Sequence, residues 1–245
     1  MKILITGFDP FDGEDINPSW EAVRRVPAAM KSFAMQGNVG SRHKEGTEEC
    51  QIIAYQIPTE FDTSAKLLWE KIQEVKPQIV LCVGQAGGRA GITPERIAIN
   101  IDDARIPDNR GNQPIDRRIQ SDGQPAYFST LPVKAMVDEL KKAGIHSYLS
   151  NTAGTFVCNH IMYQALYYAD KSVLRSLDEN IETYSFQAGF VHVPYIHEQV
   201  SDKENTSQLP SMSVDEIVRG LCICISTIID LYGKEDRHIV GGTEF

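Results

Sequence analysis

The stretch Ile79-Val-Leu-Cys-Val83-Gly84-Gln-Ala-Gly87-Gly88-Arg-Ala-Gly91 begins as an apolar run and ends in glycines. The short apolar run predicts a buried strand, because it is bounded by residues that favour turns. Glycines after a strand let a ligand approach the backbone closely, since they carry no side chain. Gln85 adds an amide that could donate and accept hydrogen bonds there. The stretch therefore predicts a central strand whose carboxyl end is open to a ligand.

Outward from this strand, short apolar runs alternate with amphipathic segments in both directions, which predicts strands followed by crossover helices and a mostly parallel sheet. Strands are predicted over residues 2–6, 51–57, 79–83, 95–101, 147–150 and 189–193. Helices are predicted over residues 64–75, 130–142 and 159–170, and two further helices are predicted to begin near Pro18 and Ser213. No linker divides the chain, so we expect one domain over residues 1–245, with peripheral insertions near 28–50 and 171–187. The long polar loop at 102–121 has a length usually associated with function.

The composition limits the classes of partner. The 245 residues include 24 Lys and Arg against 33 Asp and Glu, a formal net charge of −9. This balance argues against nucleic-acid binding, which needs a basic surface to displace counterions from phosphates. No stretch approaches the roughly 20 apolar residues of a membrane span, and the N-terminus lacks the pattern of a signal peptide. We therefore expect a cytoplasmic protein that binds neither nucleic acid nor membrane.

Five cysteines are present, an odd number without zinc-binding spacing, so we expect free thiols and no metal site. Cys158 differs from the other four because residues 151–159 are predicted to run from a strand through a glycine turn into a helix. Backbone N–H groups at the start of a helix stabilise a thiolate and an adjacent oxyanion. Cys158 is therefore a candidate nucleophile, and a small buried packing residue is the alternative.

A cysteine nucleophile needs a base and a group that orients the base. His192 interrupts an apolar strand near the sheet edge where α/β proteins bind ligands, although a buried structural histidine is the alternative. Glu95 begins an alternating run that places it on the same face as Ile97 and Ile99, which we expect to be buried. A carboxylate there needs a partner and could orient His192. If Glu95 instead lies at a solvated strand end, it is only a frayed terminus.

Several stretches of the sequence carry a resemblance to a known family. They are GFDPF at 7–11, NPS at 17–19, VGQAGGR at 83–89, ITPERIAIN at 92–100, DDARIPDN at 102–109, SNTAGTFVCN at 150–159 and VHVP at 191–194. Together they resemble pyroglutamyl-peptidase I (pyrrolidone-carboxylate peptidase), a family of cytosolic cysteine peptidases. The resemblance implies removal of N-terminal pyroglutamate from peptides through a thioester, without metal or organic cofactor. It also implies a single-domain αβα sandwich with a mostly parallel twisted sheet, commonly assembled as a homotetramer.

The resemblance also implies roles for individual residues. It makes Cys158 the nucleophile, His192 the general base and acid, and Glu95 the carboxylate that orients His192, in agreement with the candidates chosen from the residues. It further implies a pocket for the lactam ring, formed by Phe8, Phe11, Gln85, Phe156 and Val157. Arg105 is implied to support the region that binds the oxyanion. The chain departs from the family pattern at Asp12, where glycine is usual, and has extra residues near 28–50, between Cys158 and His192, and at the C-terminus.

Two other functions are compatible with the residues alone. An enzyme similar to nucleoside phosphorylases could bind phosphate at residues 84–91, although this stretch is neither G-x-G-x-x-G nor a Walker sequence. Such an enzyme would require phosphate and would be indifferent to thiol reagents. A binding module for blocked peptide termini is the non-enzymatic alternative, and in that protein Cys158 would serve only as a packing residue.

Overall fold

The computed structural model describes residues 1–35, 50–176, 184–201 and 209–242. The strands in these ranges are β1 (Lys2–Phe8), β2 (Gln51–Ile57), β3 (Ile79–Gln85), β4 (Thr93–Pro94), β5 (Ile97–Ile99), β6 (Ala126–Phe128), β7 (Gln187–Val193), β8 (Tyr195–Ile196) and β9 (Ser211–Met212). The helices are α1 (Pro18–Val23), α2 (Val26–Met35), α3 (Thr63–Val75), α4 (Val133–Lys142), α5 (Val157–Ser176), α6 (His197–Ser201) and α7 (Val214–Asp230). Of the predicted insertions, residues 36–49 and 177–183 lie outside the described residues.

The central sheet has the strand order β2-β1-β3-β7-β4. All neighbours pair in parallel except β4, which runs antiparallel to β7. This arrangement confirms the mostly parallel sheet predicted from the sequence. Because β2 and β3 lie on opposite sides of β1, the strand order changes direction there, and ligands of open α/β sheets bind beyond the carboxyl ends of such strands.

Apolar side chains cover both faces of this sheet, since successive residues of a strand point to opposite sides. One face carries Leu4, Val80, Cys82 and Phe190 and packs under α3 and α5. The other face carries Ile3, Leu81, Val83 and Val191, which share a core with side chains of α1, α2, α4 and α7. The result is the α/β sandwich that was expected, with helices on both sides of one sheet.

Two helix starts follow the predicted capping chemistry. The side chain of Asn17 accepts a hydrogen bond from the Ser19 N–H at 3.0 Å, and Pro18 occupies the first helical position of α1. Ser213 and Glu216 form both halves of a capping box at the start of α7. None of the described helices has the length and apolar character needed to cross a membrane.

The predicted strand over 95–101 is only partly present, because Ile97–Ile99 alone form a strand within it. Residues Thr93–Pro94 pair with β7, whereas Ile97–Ile99 pair with β6. Glu95 lies between the two short strands and is fully buried, while Ile99 is 37% exposed, so the two do not share a buried face. The predicted strand at 147–150 is likewise reduced to two isolated bridges, one of which joins Ser150 to Glu95.

Candidate active site

Cys158 lies at the start of α5, as predicted. The first hydrogen bond of this helix runs from the His160 N–H to the Phe156 carbonyl at 3.1 Å, so the N–H groups of residues 157–159 precede the helical ladder. The thiol sits directly above β3: a Cβ added to Gly84 would lie only 2.8 Å from the Cys158 Sγ. Gly84 is therefore the residue that leaves room for the sulfur at the carboxyl end of the strand.

His192 stands next to this thiol on the neighbouring strand. It pairs in parallel register with Gly84, and register partners of adjacent strands, which are about 4.8 Å apart, point to the same face of the sheet. The imidazole is 4% exposed, and its ring centroid lies 4.7 Å from that of Phe190. The backbone geometry therefore places His192 beside the sulfur that lies over Gly84.

Glu95 reaches His192 from the segment between β4 and β5. Its Oε1 lies 2.7 Å from the His192 Nδ1, and its backbone N–H donates to the Phe190 carbonyl at 2.9 Å. An Nδ1–H that donates to a carboxylate leaves Nε2 as the nitrogen able to exchange a proton with the thiol. The structure thus brings together the three residues that the sequence singled out as nucleophile, base and orienting carboxylate.

Arg89 is a member of this site that the sequence reasoning missed. Its Nη1 donates to the Glu95 Oε1 at 2.5 Å and to the Thr93 Oγ1 at 2.6 Å, and its Nη2 donates to the Thr152 carbonyl at 3.0 Å. A signal for it was available, because a buried carboxylate requires a partner. Arg96, the cation next to Glu95 in the sequence, lies elsewhere: its Nη2 donates to the Gly241 carbonyl at 3.3 Å.

The burial of these groups sets their ionisation. Burial would raise the pKa of Glu95, but the hydrogen bond and charge of His192 and the charge of Arg89 hold it below its usual value. Burial lowers the pKa of His192, and Glu95 only partly opposes this effect. Burial also raises the pKa of Cys158 to about 12, assisted by the Glu95 charge. Both shifts favour the neutral forms of the Cys158 thiol and the His192 imidazole, and they oppose the stabilisation of a thiolate by the start of the helix.

Aromatic side chains form two groups near Cys158, which packs against the same apolar cluster as most of them. Phe8, at the end of β1, lies 6.4 Å from Phe190, measured between ring centroids. Phe156 contacts Phe11 at 6.0 Å and Phe61 at 5.4 Å, the latter edge to face. Phe61 was not recognised in the sequence, because it lies outside every motif of the resemblance. The rings provide an apolar surface beside the candidate nucleophile.

The other residues predicted for the site are Val157, Arg105 and Gln85, and they differ in exposure and in contacts. Val157 is fully buried, whereas Arg105 is exposed in the loop after β5. This loop is tied to the residues before Cys158 by hydrogen bonds in both directions between Asp103 and Thr155. The Gln85 side-chain oxygen accepts a hydrogen bond from the Gln199 amide at 3.0 Å. Since Gln85 is one residue after Gly84, its side chain leaves the sheet on the opposite face from the thiol.

The backbone conformation of Asp12 explains why aspartate can stand where the resemblance leads us to expect glycine. Asp12 has φ of +56° in a turn in which Gly13 also has a positive φ and the Glu14 N–H donates to the Phe11 carbonyl. Glycine adopts this left-handed region without strain, and aspartate tolerates it better than most residues. Aspartate is therefore compatible with the backbone of this exposed turn beside Phe11.

A second buried pair lies on the same helix as Cys158. The His160 Nδ1 lies 3.0 Å from the Asp102 Oδ2, and both side chains are fully buried. Arg117 donates to Asp102 at 2.8 Å and to Asp62 at 2.7 Å. These contacts fasten the polar loop at 102–121 to α5 and α3. His160 therefore pairs with Asp102, although it lies only two residues after Cys158 on the same helix.

Comparisons with known proteins find relatives that match nearly the whole chain. Residues 1–231 match the family model described as pyroglutamyl peptidase. A pyrrolidone-carboxylate peptidase from Streptococcus suis is 50% identical over 243 residues, which is 99% of both chains. A relative of the same name from Streptococcus pyogenes serotype M4 is 49% identical over 242 residues, again 99% of both chains.

Solved structures show the same relationship. The crystal structure of pyroglutamyl peptidase I from Bacillus amyloliquefaciens has a TM-score of 0.77 at 41% identity and covers 96% of this chain and 98% of its own. A mutant pyrrolidone carboxyl peptidase from Pyrococcus furiosus has a TM-score of 0.79 at 36% identity, with 94% and 99% covered. On the match of the family model and these relatives, the chain belongs to the pyroglutamyl peptidase family.

Proposed function

We propose that this chain removes N-terminal pyroglutamate from peptides, with Cys158 as nucleophile, His192 as general base and acid, and Glu95 as the orienting carboxylate. Family membership makes the protein a cysteine hydrolase. The observation that supports these residue roles is the sulfur of Cys158 over Gly84, beside a histidine hydrogen-bonded to a buried glutamate. The phosphorylase-like alternative is not favoured by the family.

The first half of the reaction forms a thioester. Starting from a neutral thiol and a neutral imidazole, His192 removes the Cys158 proton as the sulfur attacks the carbonyl carbon that joins the pyroglutamyl group to the next residue. The carbonyl oxygen becomes an oxyanion, which the N–H groups at the start of α5 can bind, and Arg105 supports this region. The C–N bond then breaks, and His192 gives its proton to the leaving amine. Glu95 stabilises the imidazolium while it exists.

The second half hydrolyses the thioester. A water molecule enters where the amine left, and His192 takes one of its protons as the oxygen attacks the thioester carbon. The C–S bond breaks, the sulfur recovers the proton from His192, and pyroglutamic acid leaves. The cycle returns Cys158 and His192 to their neutral forms. The side chains of this site supply every proton transfer in the cycle.

The substrate class follows from the chemistry of the pocket. A pyroglutamyl terminus is cyclised and uncharged, so it needs an apolar site with groups that pair with its lactam amide. Phe8, Phe11, Phe156 and Val157 supply the apolar surface in this proposal. The backbone at Gln85 supplies hydrogen-bonding groups at the end of β3, because its side-chain oxygen is already engaged by Gln199.

The direct test of this function is hydrolysis of a pyroglutamyl anilide by the purified protein. We expect release of the aniline in buffer without phosphate, and loss of activity after iodoacetamide treatment. A pyroglutamyl peptide of natural residues should lose only its first residue, as seen by mass spectrometry. Absence of hydrolysis, with the peptide bound but intact, would instead support a non-catalytic binder.

Glu95→Gln is expected to lower kcat on the order of 10³-fold, by analogy with the loss of the carboxylate from other triads. Glutamine keeps the shape of the side chain but cannot balance the charge of the imidazolium. Glu70→Gln, an exposed carboxylate change on α3, is the matched control and should retain full activity. A Glu95→Gln variant that melts at lower temperature but turns over normally per folded molecule would make Glu95 a structural residue.

We also propose a cytoplasmic location and a homo-oligomer, with a tetramer as the family resemblance implies. The apolar face formed by Ile99 and Phe128 on the two-stranded sheet of β5 and β6 supports self-association, since the two side chains are 37% and 65% exposed. Because the net charge is negative, we propose no nucleic-acid partner. One domain over residues 1–245 remains our proposal for the chain's organisation.

A further inference from the structure

We propose that Arg89 is a positioning residue for the reaction: its guanidinium fixes the Glu95 carboxylate against His192 and fastens the segment that leads to Cys158. This inference rests on the proposed function, because it assigns a role within the same site. Arg89 lies in the glycine-rich loop after β3, and its contacts are with the triad carboxylate and the surrounding chain.

The contacts of Arg89 join separate parts of the chain that must stay in register for catalysis. One nitrogen, Nη1, donates both to Glu95 and to Thr93, the residue of β4 that pairs with His192. The other nitrogen, Nη2, donates to the carbonyl of Thr152, which lies six residues before the nucleophile. A planar guanidinium can make these bonds together because its donors are held in a fixed fork. A single side chain thereby connects the base, its carboxylate and the segment before the nucleophile.

The orientation of Glu95 depends on this contact. His192 and Arg89 both donate to Oε1, whereas Oε2 is buried without a hydrogen bond of normal geometry among the residues that the structure describes. The Ser150 side chain also lies near this carboxylate and helps to lower its pKa. His192 alone could pair with either oxygen, because the carboxylate can rotate about its last bond. Arg89 removes this freedom by holding Oε1 in place. The carboxylate therefore presents one defined oxygen to the imidazole throughout the reaction.

The charge of Arg89 also acts on the proton transfer. The charged groups that act on His192 are the Glu95 carboxylate and the Arg89 guanidinium. The Cys158 thiol is placed beside the imidazole by Gly84, which lies under the sulfur and pairs in register with His192. Its positive charge lowers the pKa of His192 and of Cys158 and keeps the pKa of Glu95 low. His192 must be neutral to accept the thiol proton, so activity falls as pH drops through its pKa. This fall is the acidic limb of the pH–activity profile, and removal of the Arg89 charge should move it to higher pH.

The test compares Arg89→Met with Arg89→Lys on a pyroglutamyl anilide. We expect Arg89→Met to lower kcat about 10²-fold with little change in KM, as for a misplaced catalytic group, and to move the acidic limb of the kcat/KM profile upward. Lysine keeps the charge but carries its three donors on a single nitrogen, so it cannot reproduce the two separate nitrogens with which Arg89 reaches Glu95 and the Thr152 carbonyl. In Arg89→Lys, the acidic limb should therefore stay at its wild-type pH, and kcat should lie between that of Arg89→Met and that of the wild type.

A double-mutant cycle separates this role from a purely structural one. If Arg89 acts through Glu95, Arg89→Met should cause little further loss in the Glu95→Gln background, because the charge it positions is already absent. Equal losses in both backgrounds, or a wild-type pH profile in Arg89→Met, would overturn the proposal. If Arg89→Met does not fold, Arg89→Lys decides, and full wild-type kcat in that variant would also overturn it. An inactive wild-type protein would instead mark a failure of the proposed function.

Discussion

Replacing Cys158 with serine is expected to lower kcat at least about 10⁵-fold while the fold is retained, since loss of a triad nucleophile removes covalent catalysis. A serine hydroxyl holds its proton far more tightly than a thiol, so the same neutral imidazole cannot activate it. The fold should survive because oxygen is smaller than sulfur and fits in the space above Gly84. Serine also suits the first turn of α5.

The measurement is hydrolysis of a pyroglutamyl anilide by equal amounts of folded protein, checked by circular dichroism and melting temperature. Cys50→Ser is the matched control, because Cys50 is a partly exposed free thiol that precedes β2 and lies outside the site. It should keep wild-type activity. Residual activity of Cys158→Ser within tenfold of wild type would end the assignment of Cys158 as nucleophile.

A prolyl anilide is expected to be cleaved about 10⁴-fold less efficiently than the pyroglutamyl anilide, in kcat/KM, although the two rings have the same size. A prolyl ring lacks the lactam carbonyl and brings a charged amine in place of the amide N–H. It would leave the hydrogen-bonding groups at the end of β3 unpaired and bury a cation among Phe8, Phe11 and Phe156. Loss of such a buried pairing costs far more than a change in apolar contact, which discriminates by only about 10- to 200-fold.

Glutamyl and glutaminyl anilides complete the series, because each carries a free amine without a ring and should not be cleaved. All four substrates release the same aniline, so differences in kcat/KM report the acyl group alone. A pyroglutamyl-to-prolyl ratio below about tenfold would mean that ring shape dominates. The lactam pocket would then have to be abandoned, even if Cys158 remained the nucleophile.

Local chemistry made much of the fold predictable from the sequence. Asn17 with Pro18, and Ser213 with Glu216, are capping patterns whose partners lie within three residues, so they required no knowledge of the rest of the chain. The apolar run at 79–83 predicted a buried central strand for the same reason, and β3 is that strand. Such short-range signals gave the order of strands and helices and hence the mostly parallel sheet.

Elements that depend on distant partners were less predictable. The alternation over 95–101 resembles one strand, but Pro94 pairs with β7 and Ile97 pairs with β6, and neither partner is close in sequence. Arg89 was missed for a related reason. Its role becomes visible only when Glu95 and Thr152 lie on either side of it, and no periodicity in the sequence encodes that contact.

The ionisation of the nucleophile was also beyond the sequence pattern. The position of Cys158 at a helix start suggested a stabilised thiolate. In the folded chain, burial and the nearby charge of Glu95 oppose that effect and raise the pKa of the thiol to about 12. The pattern could identify the residue and its helix, but the balance between helix dipole, burial and neighbouring charge depends on three-dimensional distances.

The most direct test of the central claim is labelling by a chloromethyl ketone that carries a pyroglutamyl group, followed by peptide mapping. Displacement of chloride forms a carbon–sulfur bond only if a nucleophilic thiol lies beside a site that binds the lactam. We predict one label per chain on Cys158, loss of activity in proportion to labelling, and protection by a pyroglutamyl peptide. Label on Cys50, Cys82, Cys222 or Cys224, or inactivation without label on Cys158, would contradict the account.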